Sequence, residues 1–141
     1  MTWKYTYEHD TNAASEALWD VISNVEGWPS IDPNIQSLEM TESPGVGARF
    51  TLKPKGGPRI RFQITQFQPP STNADTSRLH GSVMTTTHKL QTTTSGTLIA
   101  VDIQISGILA PLWSILVGRK HATGLPEQTR RLIAAASHVE P

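Results

Sequence analysis

Residues 98–117 read Leu-Ile-Ala-Val-Asp-Ile-Gln-Ile-Ser-Gly-Ile-Leu-Ala-Pro-Leu-Trp-Ser-Ile-Leu-Val and form the most apolar window of the chain. Hydropathy alone would suggest a membrane-spanning helix here. However, Asp102 and Gln104 alternate with apolar residues, and Gly107 and Pro111 interrupt the run. Alternation of polar and apolar side chains is typical of a half-buried strand. The window therefore predicts a strand that ends near Gly107 and leads into a helix.

The stretch that follows, about residues 112–137, is the only remaining one long enough for a major helix. It contains Gly124-Leu-Pro126. Proline lacks an amide hydrogen, and its ring collides with the preceding helical turn. The sequence therefore predicts a long C-terminal helix that is kinked or divided at residues 124–126.

Short β-type segments separated by turn residues fill the middle of the chain. They are predicted at about 35–40, 48–53, 59–67, 75–80, 84–92 and 97–107. Trp3–His9 alternates in the same way, apolar residues recur at helical spacing from Ala14 to Val25, and a turn with two prolines follows Gly27. This β-α-α-β6-α order predicts an α+β helix-grip fold, a curved antiparallel sheet wrapped around the C-terminal helix.

The composition predicts one globular domain over residues 1–141, which is long enough to bury a sizeable core. The absence of cysteine excludes disulfides, a thiolate nucleophile and iron–sulfur clusters. With 37% apolar and 17% charged residues, the chain resembles neither a disordered protein nor a membrane bundle. The first residues lack the apolar segment of a secretory signal, so we expect a cytoplasmic protein.

The formal net charge of zero conceals an uneven distribution of charges. No acidic residue lies between Glu42 and Asp75, whereas the bases Arg49, Lys53, Lys55, Arg59 and Arg61 do. One interpretation is a basic surface for nucleic acid or an anionic partner. The other is that acidic and basic segments face each other in one compact domain. The neutral total and the lack of a nucleic-acid motif favour the second interpretation, so no nucleic-acid partner is expected.

Standard catalytic and cofactor motifs are absent from the sequence. The five histidines are His9, His80, His88, His121 and His138. No two of them have the short spacing that places paired imidazoles on one metal. Gly45-Val-Gly47 lacks the third glycine of a dinucleotide fingerprint, because position 50 is Phe, and neither a P-loop nor a nucleophile elbow occurs. We therefore expect no metal and no cofactor.

One histidine falls on an apolar strand face. In residues 84–92, Met84 and Leu90 mark the even positions as the interior, so Thr86 and His88 are predicted to point inward. A buried neutral imidazole can act as a general base or as a hydrogen-bond partner of a ligand. It can equally be a core histidine that a neighbouring group satisfies. The same alternation places Asp102 outside and excludes it as a catalytic acid or base.

Nearly the whole chain carries short motifs of a known superfamily. They are Ala17-Leu-Trp-Asp-Val-Ile22, Gly27-Trp-Pro-Ser-Ile-Asp-Pro33, Gly45-Val-Gly-Ala-Arg-Phe50, Ile64-Thr-Gln-Phe-Gln-Pro-Pro70, Gly96-Thr-Leu98, Ile105-Ser-Gly107, Leu52-Lys-Pro-Lys-Gly-Gly-Pro58, His88-Lys-Leu90 and Leu109-Ala-Pro-Leu-Trp113. In order and spacing they resemble the polyketide cyclase/dehydrase-like branch of the START / Bet v-type (SRPBCC) superfamily. The last three of these motifs resemble a bacterial subgroup of that branch. The resemblance implies a cavity for lipids, sterols or polyketides, and it transfers no catalytic residue because only some members are enzymes.

The first functional hypothesis is binding of a small hydrophobic or amphipathic molecule, such as a lipid, a sterol or a polyketide-like compound, between the sheet and the C-terminal helix. The apparent scarcity of inward-facing ionisable groups favours it. His88 is its predicted polar anchor. The predicted lining consists of Trp28, Phe50, Phe62, Met84, His88, Ile103 and Trp113. We expect a monomer or homodimer that is not an integral membrane protein.

The alternative is a polyketide cyclase or dehydratase. His88 would then remove a proton next to a carbonyl, and Thr86 or a tyrosine hydroxyl would stabilise the enolate. A third hypothesis is an interaction protein that uses the basic segment 49–61 and binds no small molecule.

Overall fold

The computed structural model of the chain describes residues 1–137 and contains a seven-stranded antiparallel sheet in the order β1-β7-β6-β5-β4-β3-β2. The sheet strands are β1 (Thr2–Thr11), β2 (Ile35–Met40), β3 (Arg49–Pro54), β4 (Ile60–Gln68), β5 (Thr72–Leu79), β6 (Ser82–Thr93) and β7 (Gly96–Ser106). Two helices, α1 (Ser15–Ser23) and α2 (Trp28–Ile31), are joined by a 3-10 turn and connect the two edge strands, β1 and β2.

The order of the elements and the antiparallel sheet confirm the helix-grip fold that the sequence predicts. In β7 the odd positions from Thr97 to Ile105 are buried, so the window that opens the sequence analysis is a half-buried strand. Most strand boundaries differ from the prediction by one or two residues, and the largest difference is that β5 begins at Thr72 rather than at residue 75. The earlier start follows from a short turn at Pro69–Pro70, and it brings Asn73 into the sheet.

The C-terminal helical segment has three parts: α3 (Ala110–Trp113), a π-helical stretch (Ser114–Gly118) and α4 (Arg119–Ser137). The sequence predicts a helix that is kinked or divided at Gly124-Leu-Pro126, and the division is wrong because α4 is continuous through Pro126. A proline in the interior removes one backbone hydrogen bond, and packing of the helix compensates for this loss. The irregular turn lies earlier, at Ser114–Gly118.

Within residues 1–137, no helix combines the length and the apolar character needed to cross a membrane.

The C-terminal helix lies close to the sheet where Gly118 meets Trp3. A Cβ atom added to Gly118 would lie 2.7 Å from Cζ3 of Trp3 and 3.1 Å from Cδ1 of Ile105. The indole Nε1 of Trp113 donates a hydrogen bond to the carbonyl oxygen of His80, 2.7 Å away, which attaches the start of the helix to the turn between β5 and β6. These contacts fix the helix over the inner face of the sheet.

The core consists of two apolar clusters. The larger one joins Leu18 of α1, the isoleucines of β7 and Leu125 of α4. The smaller one joins Val25, Phe50 and Ile64 beside α2 and the strands β3 and β4. Phe62 and Phe67 pack against both clusters, so the two are continuous.

Candidate functional site

A cavity of about 90 Å³ lies between α4 and the segment that connects α1 to β2. Most of its wall is apolar. The lining includes Val21, Ile22, Trp28, Ile31, His88 and Leu132. Trp28 is held in place because its Nε1 donates to the carbonyl oxygen of Ile22 at 3.2 Å.

A second, more polar space of about 280 Å³ adjoins the first one along α4. Asp32, Gln128 and Arg131 line both spaces, so they are neighbours. Lys120 and His121 also line the second space. An amphipathic molecule would thus find an apolar wall at one end and charged groups at the other.

Two of the residues predicted from the sequence, Trp28 and His88, meet at the apolar cavity. Phe50 and Phe62 lie directly behind Trp28. The ring of Phe50 meets Trp28 edge-on at a centroid distance of 5.6 Å and stacks on Phe62 at 5.2 Å. These two rings therefore support the wall of the cavity.

The other three predicted residues lie elsewhere. Met84 and Ile103 are buried in the larger apolar cluster. Trp113 lies at the start of the C-terminal helical segment and is hydrogen-bonded to the β5–β6 turn. The structure does not bring them together with Trp28 and His88.

His88 points inward, in phase with the buried residues Met84, Thr86 and Leu90 of β6. Its Nδ1 atom is buried and has no hydrogen-bond partner among residues 1–137. Burial, together with the nearby imidazole of His121, lowers the pKa of His88 to about 4. The ring is therefore neutral at physiological pH and can donate one hydrogen bond and accept another.

His121 of α4 also faces the sheet, although the sequence analysis did not single it out. Its Nε2 lies 3.4 Å from the hydroxyl oxygen of Thr86. Burial lowers its pKa. Helical periodicity could have identified it, because His121, Leu125 and Thr129 recur every four residues and the last two are buried.

The inner face of β5 is polar, and the sequence analysis missed this. Asn73 and Ser77 are 1% exposed and Asp75 is 6% exposed. The expectation that ionisable groups are scarce on the inside is thus wrong at Asp75. Burial raises the pKa of this carboxyl to about 7. Within β5, only Arg78, which is exposed, and Leu79, at the end of the strand, indicate from the sequence which face points inward.

These groups lie side by side because β5 and β6 are paired in register. Asn73 stands opposite His88, and Asp75 stands opposite Thr86. Opposite residues on one face of an antiparallel pair have Cβ atoms about 5 Å apart. We call the set Asn73, Asp75, Ser77, Thr86, His88 and His121 the interior polar cluster.

The outer surface carries the charged residues that the sequence analysis set aside. Asp102 accepts a hydrogen bond from Thr6 at 2.6 Å and lies 3.8 Å from Nζ of Lys89. In the basic segment, Arg59 lies 3.9 Å from Glu39, and Lys53 donates to Gln36. Within residues 1–137, no three carboxylate or imidazole side chains are placed to hold a metal ion; His138 lies outside the described residues.

The family described as polyketide cyclase / dehydrase and lipid transport matches residues 2–135. The chain belongs to this family. The match confirms the resemblance that the sequence motifs indicate, and it covers every element from β1 to most of α4. A search of curated proteins gives no significant match.

Several solved structures have the same fold as this chain. Norcoclaurine synthase from Thalictrum flavum, in complex with dopamine and hydroxybenzaldehyde, has a TM-score of 0.77 and 15% identity over 99% of this chain and 87% of its own. Ara h 8.0201 has a TM-score of 0.80 and 14% identity over 98% and 99% of the two chains. The di-domain ARO/CYC protein StfQ from the steffimycin biosynthetic pathway has a TM-score of 0.75 and 14% identity over 97% of this chain and 51% of its own. At such identities the likeness establishes the fold alone.

Proposed function

We propose that the chain binds a small, mostly apolar molecule between the inner face of the sheet and the C-terminal helix, with His88 as a polar anchor. The main support is the apolar cavity beside Trp28 and Leu132, whose wall includes His88, a residue with a buried and unpaired Nδ1. Small-molecule sites are usually apolar hollows with a few convergent polar groups. Binding would gain about 25 cal/mol per Å² of apolar surface buried, together with one hydrogen bond.

The comparisons support the same proposal at a coarser level. The description of the family includes lipid transport, and the norcoclaurine synthase structure contains two small aromatic compounds. From this family description and this structure we propose that the ligand of the present chain has lipid, sterol or polyketide-like character.

The alternative of a cyclase or dehydratase requires His88 to hold a proton taken from the substrate. A general base works best when its pKa lies near the working pH. With a pKa of about 4, His88 has little driving force to take up a proton at neutral pH. We therefore assign His88 a hydrogen-bonding role and rank binding above catalysis.

Filling the cavity should weaken this binding. Leu132→Trp places an indole in the space beside Trp28, whereas Leu116→Trp, at a side chain that is 56% exposed on the same helical segment, is the matched control. Titration with the fluorescent apolar probe N-phenyl-1-naphthylamine should show about tenfold weaker binding for Leu132→Trp and unchanged binding for Leu116→Trp. Circular dichroism of both variants checks that they are folded. Equal affinity in folded Leu132→Trp and wild type would refute the proposed location.

A further inference from the structure

The inner face of β5 differs from that of β7, the strand on the other side of β6. On β7, the inner positions Ile99, Val101, Ile103 and Ile105 are apolar and fully buried. On β5, the corresponding face presents Asn73, Asp75 and Ser77, which are equally removed from the surface. The polar side chains of β5 thus occupy inner positions of the kind that are apolar on β7.

Three side-chain polar atoms on the inner face of β5 lack a hydrogen-bond partner within the described part of the chain. Both amide atoms of Asn73 and the hydroxyl of Ser77 are buried without a hydrogen bond to any of residues 1–137. Nδ1 of His88, which stands opposite Asn73, is also buried without a hydrogen bond to these residues. Unpaired buried polar groups destabilise a fold, so their presence calls for a compensating role.

The interior polar cluster meets the apolar cavity at His88, the one member of the cluster that lines it. A molecule held by Trp28 and Leu132 therefore reaches His88, and Asn73 stands directly opposite His88 on β5. From there, Asp75 and Ser77 continue along the same face of β5.

We propose that the interior polar cluster recognises an uncharged hydroxyl or carbonyl group at the inner end of the ligand. This inference rests on the proposed function and specifies the class of ligand. The Asn73 amide and the Ser77 hydroxyl both donate and accept hydrogen bonds, as a hydroxyl partner requires. Because burial raises the pKa of Asp75 to about 7, its carboxyl is largely protonated at pH 6 and presents a donor as well as an acceptor. The neutral ring of His88 completes a set without formal charge.

The test compares 2-naphthol with naphthalene, which share the ring system and differ by one hydroxyl. Competition of each against N-phenyl-1-naphthylamine gives the ratio of their affinities in each variant at pH 6. In wild type we expect 2-naphthol to bind about tenfold more tightly than naphthalene, as one well-placed hydrogen bond allows. In Asn73→Leu this preference should disappear. Thr76→Val, which removes a hydroxyl from the outer face of the same strand, should retain it.

Stability provides a second readout that a purely structural role would not reproduce. If Asn73 serves a ligand, Asn73→Leu should raise the melting temperature of the protein while it removes the preference for 2-naphthol. A lower melting temperature with an unchanged preference would overturn the inference. If wild type binds the fluorescent probe and both naphthalenes equally well, the polar-group inference fails and the proposed function stands. If wild type does not bind the fluorescent probe, both fail.

Discussion

Asp75 and His88 lie on paired strands of the same inner face, but burial shifts their pKa values in opposite directions. Burial raises the pKa of Asp75 from 3.8 to about 7, so the folded protein keeps a proton that the unfolded chain releases. Its contribution to stability is complete below about pH 4 and is lost as the pH rises towards 7. Burial lowers the pKa of His88 from 6.5 to about 4, so its contribution is present above pH 6.5 and is lost as the pH falls towards 4.

The variants Asp75→Asn and His88→Gln should therefore change the pH profile of stability in opposite senses. Between pH 4 and 6.5, the stability advantage of wild type over Asp75→Asn should fall with rising pH, and its advantage over His88→Gln should rise. Each change should be on the order of 3 kcal/mol across the window. Urea denaturation at half-unit pH steps measures both. If the two stability differences change in the same direction with pH, Asp75 and His88 are not buried in the way the structure shows.

Individual residues of the site were only partly predictable. His88 could be placed inside because Met84 and Leu90 give β6 one clearly apolar face. Asp75 was missed, because both faces of β5 carry polar side chains and the only apolar marker of its face is Leu79 at the end of the strand. The register with β6 decides it, and register depends on contacts between distant parts of the chain.

At the level of elements, the two glycines of the C-terminal helical segment have different roles. A side chain at Gly118 would collide with the ring of Trp3, whereas a Cβ at Gly124 meets no atom of residues 1–137 within 4 Å. Gly118 is thus needed for the close approach of helix and sheet. Gly124 has no such contact, and glycine in a helix costs backbone entropy relative to alanine.

We therefore expect two alanine substitutions in the same helical segment to have opposite effects. Gly124→Ala should raise the free energy of unfolding by about 0.5–1 kcal/mol, because alanine favours the helix. Gly118→Ala should lower it by about 1–3 kcal/mol, because Trp3 and Ile105 must move. Urea denaturation of the two single variants measures both values. A stabilising effect of Gly118→Ala would mean that the helix is free to shift away from Trp3.

The boundaries and order of most elements could be predicted because they depend on local patterns. Alternation identified β7, and the length of the remaining stretch, about residues 112–137, identified the C-terminal helix. The π-helical stretch at Ser114–Gly118 could not be predicted, because no local pattern of side chains distinguishes it from an α-helical turn. The continuity of the helix through Pro126 likewise depends on tertiary packing, which outweighs the propensity of one residue.

At the scale of the whole molecule, the helices connect the two edges of the sheet. The edge strands β1 and β2 are connected across the helix side by α1 and α2, and α4 contacts both α1 and β1. The two apolar clusters share Phe62 and Phe67. Neither cluster can therefore lose its packing without exposing part of the other, which favours a single domain.

A single domain should unfold in one cooperative transition. The four tryptophans report on separate elements, since Trp3 lies in β1, Trp19 in α1, Trp28 in α2 and Trp113 in α3. We expect tryptophan fluorescence and far-ultraviolet circular dichroism to give the same melting temperature. Calorimetry should give an unfolding enthalpy of about 100 kcal/mol that equals the van't Hoff value. A fluorescence change that precedes the loss of circular dichroism would mean that the smaller cluster around Trp28 opens first. The wall of the proposed binding cavity would then be an independently unfolding part of the molecule, because Trp28 and its supporting ring Phe50 belong to that cluster.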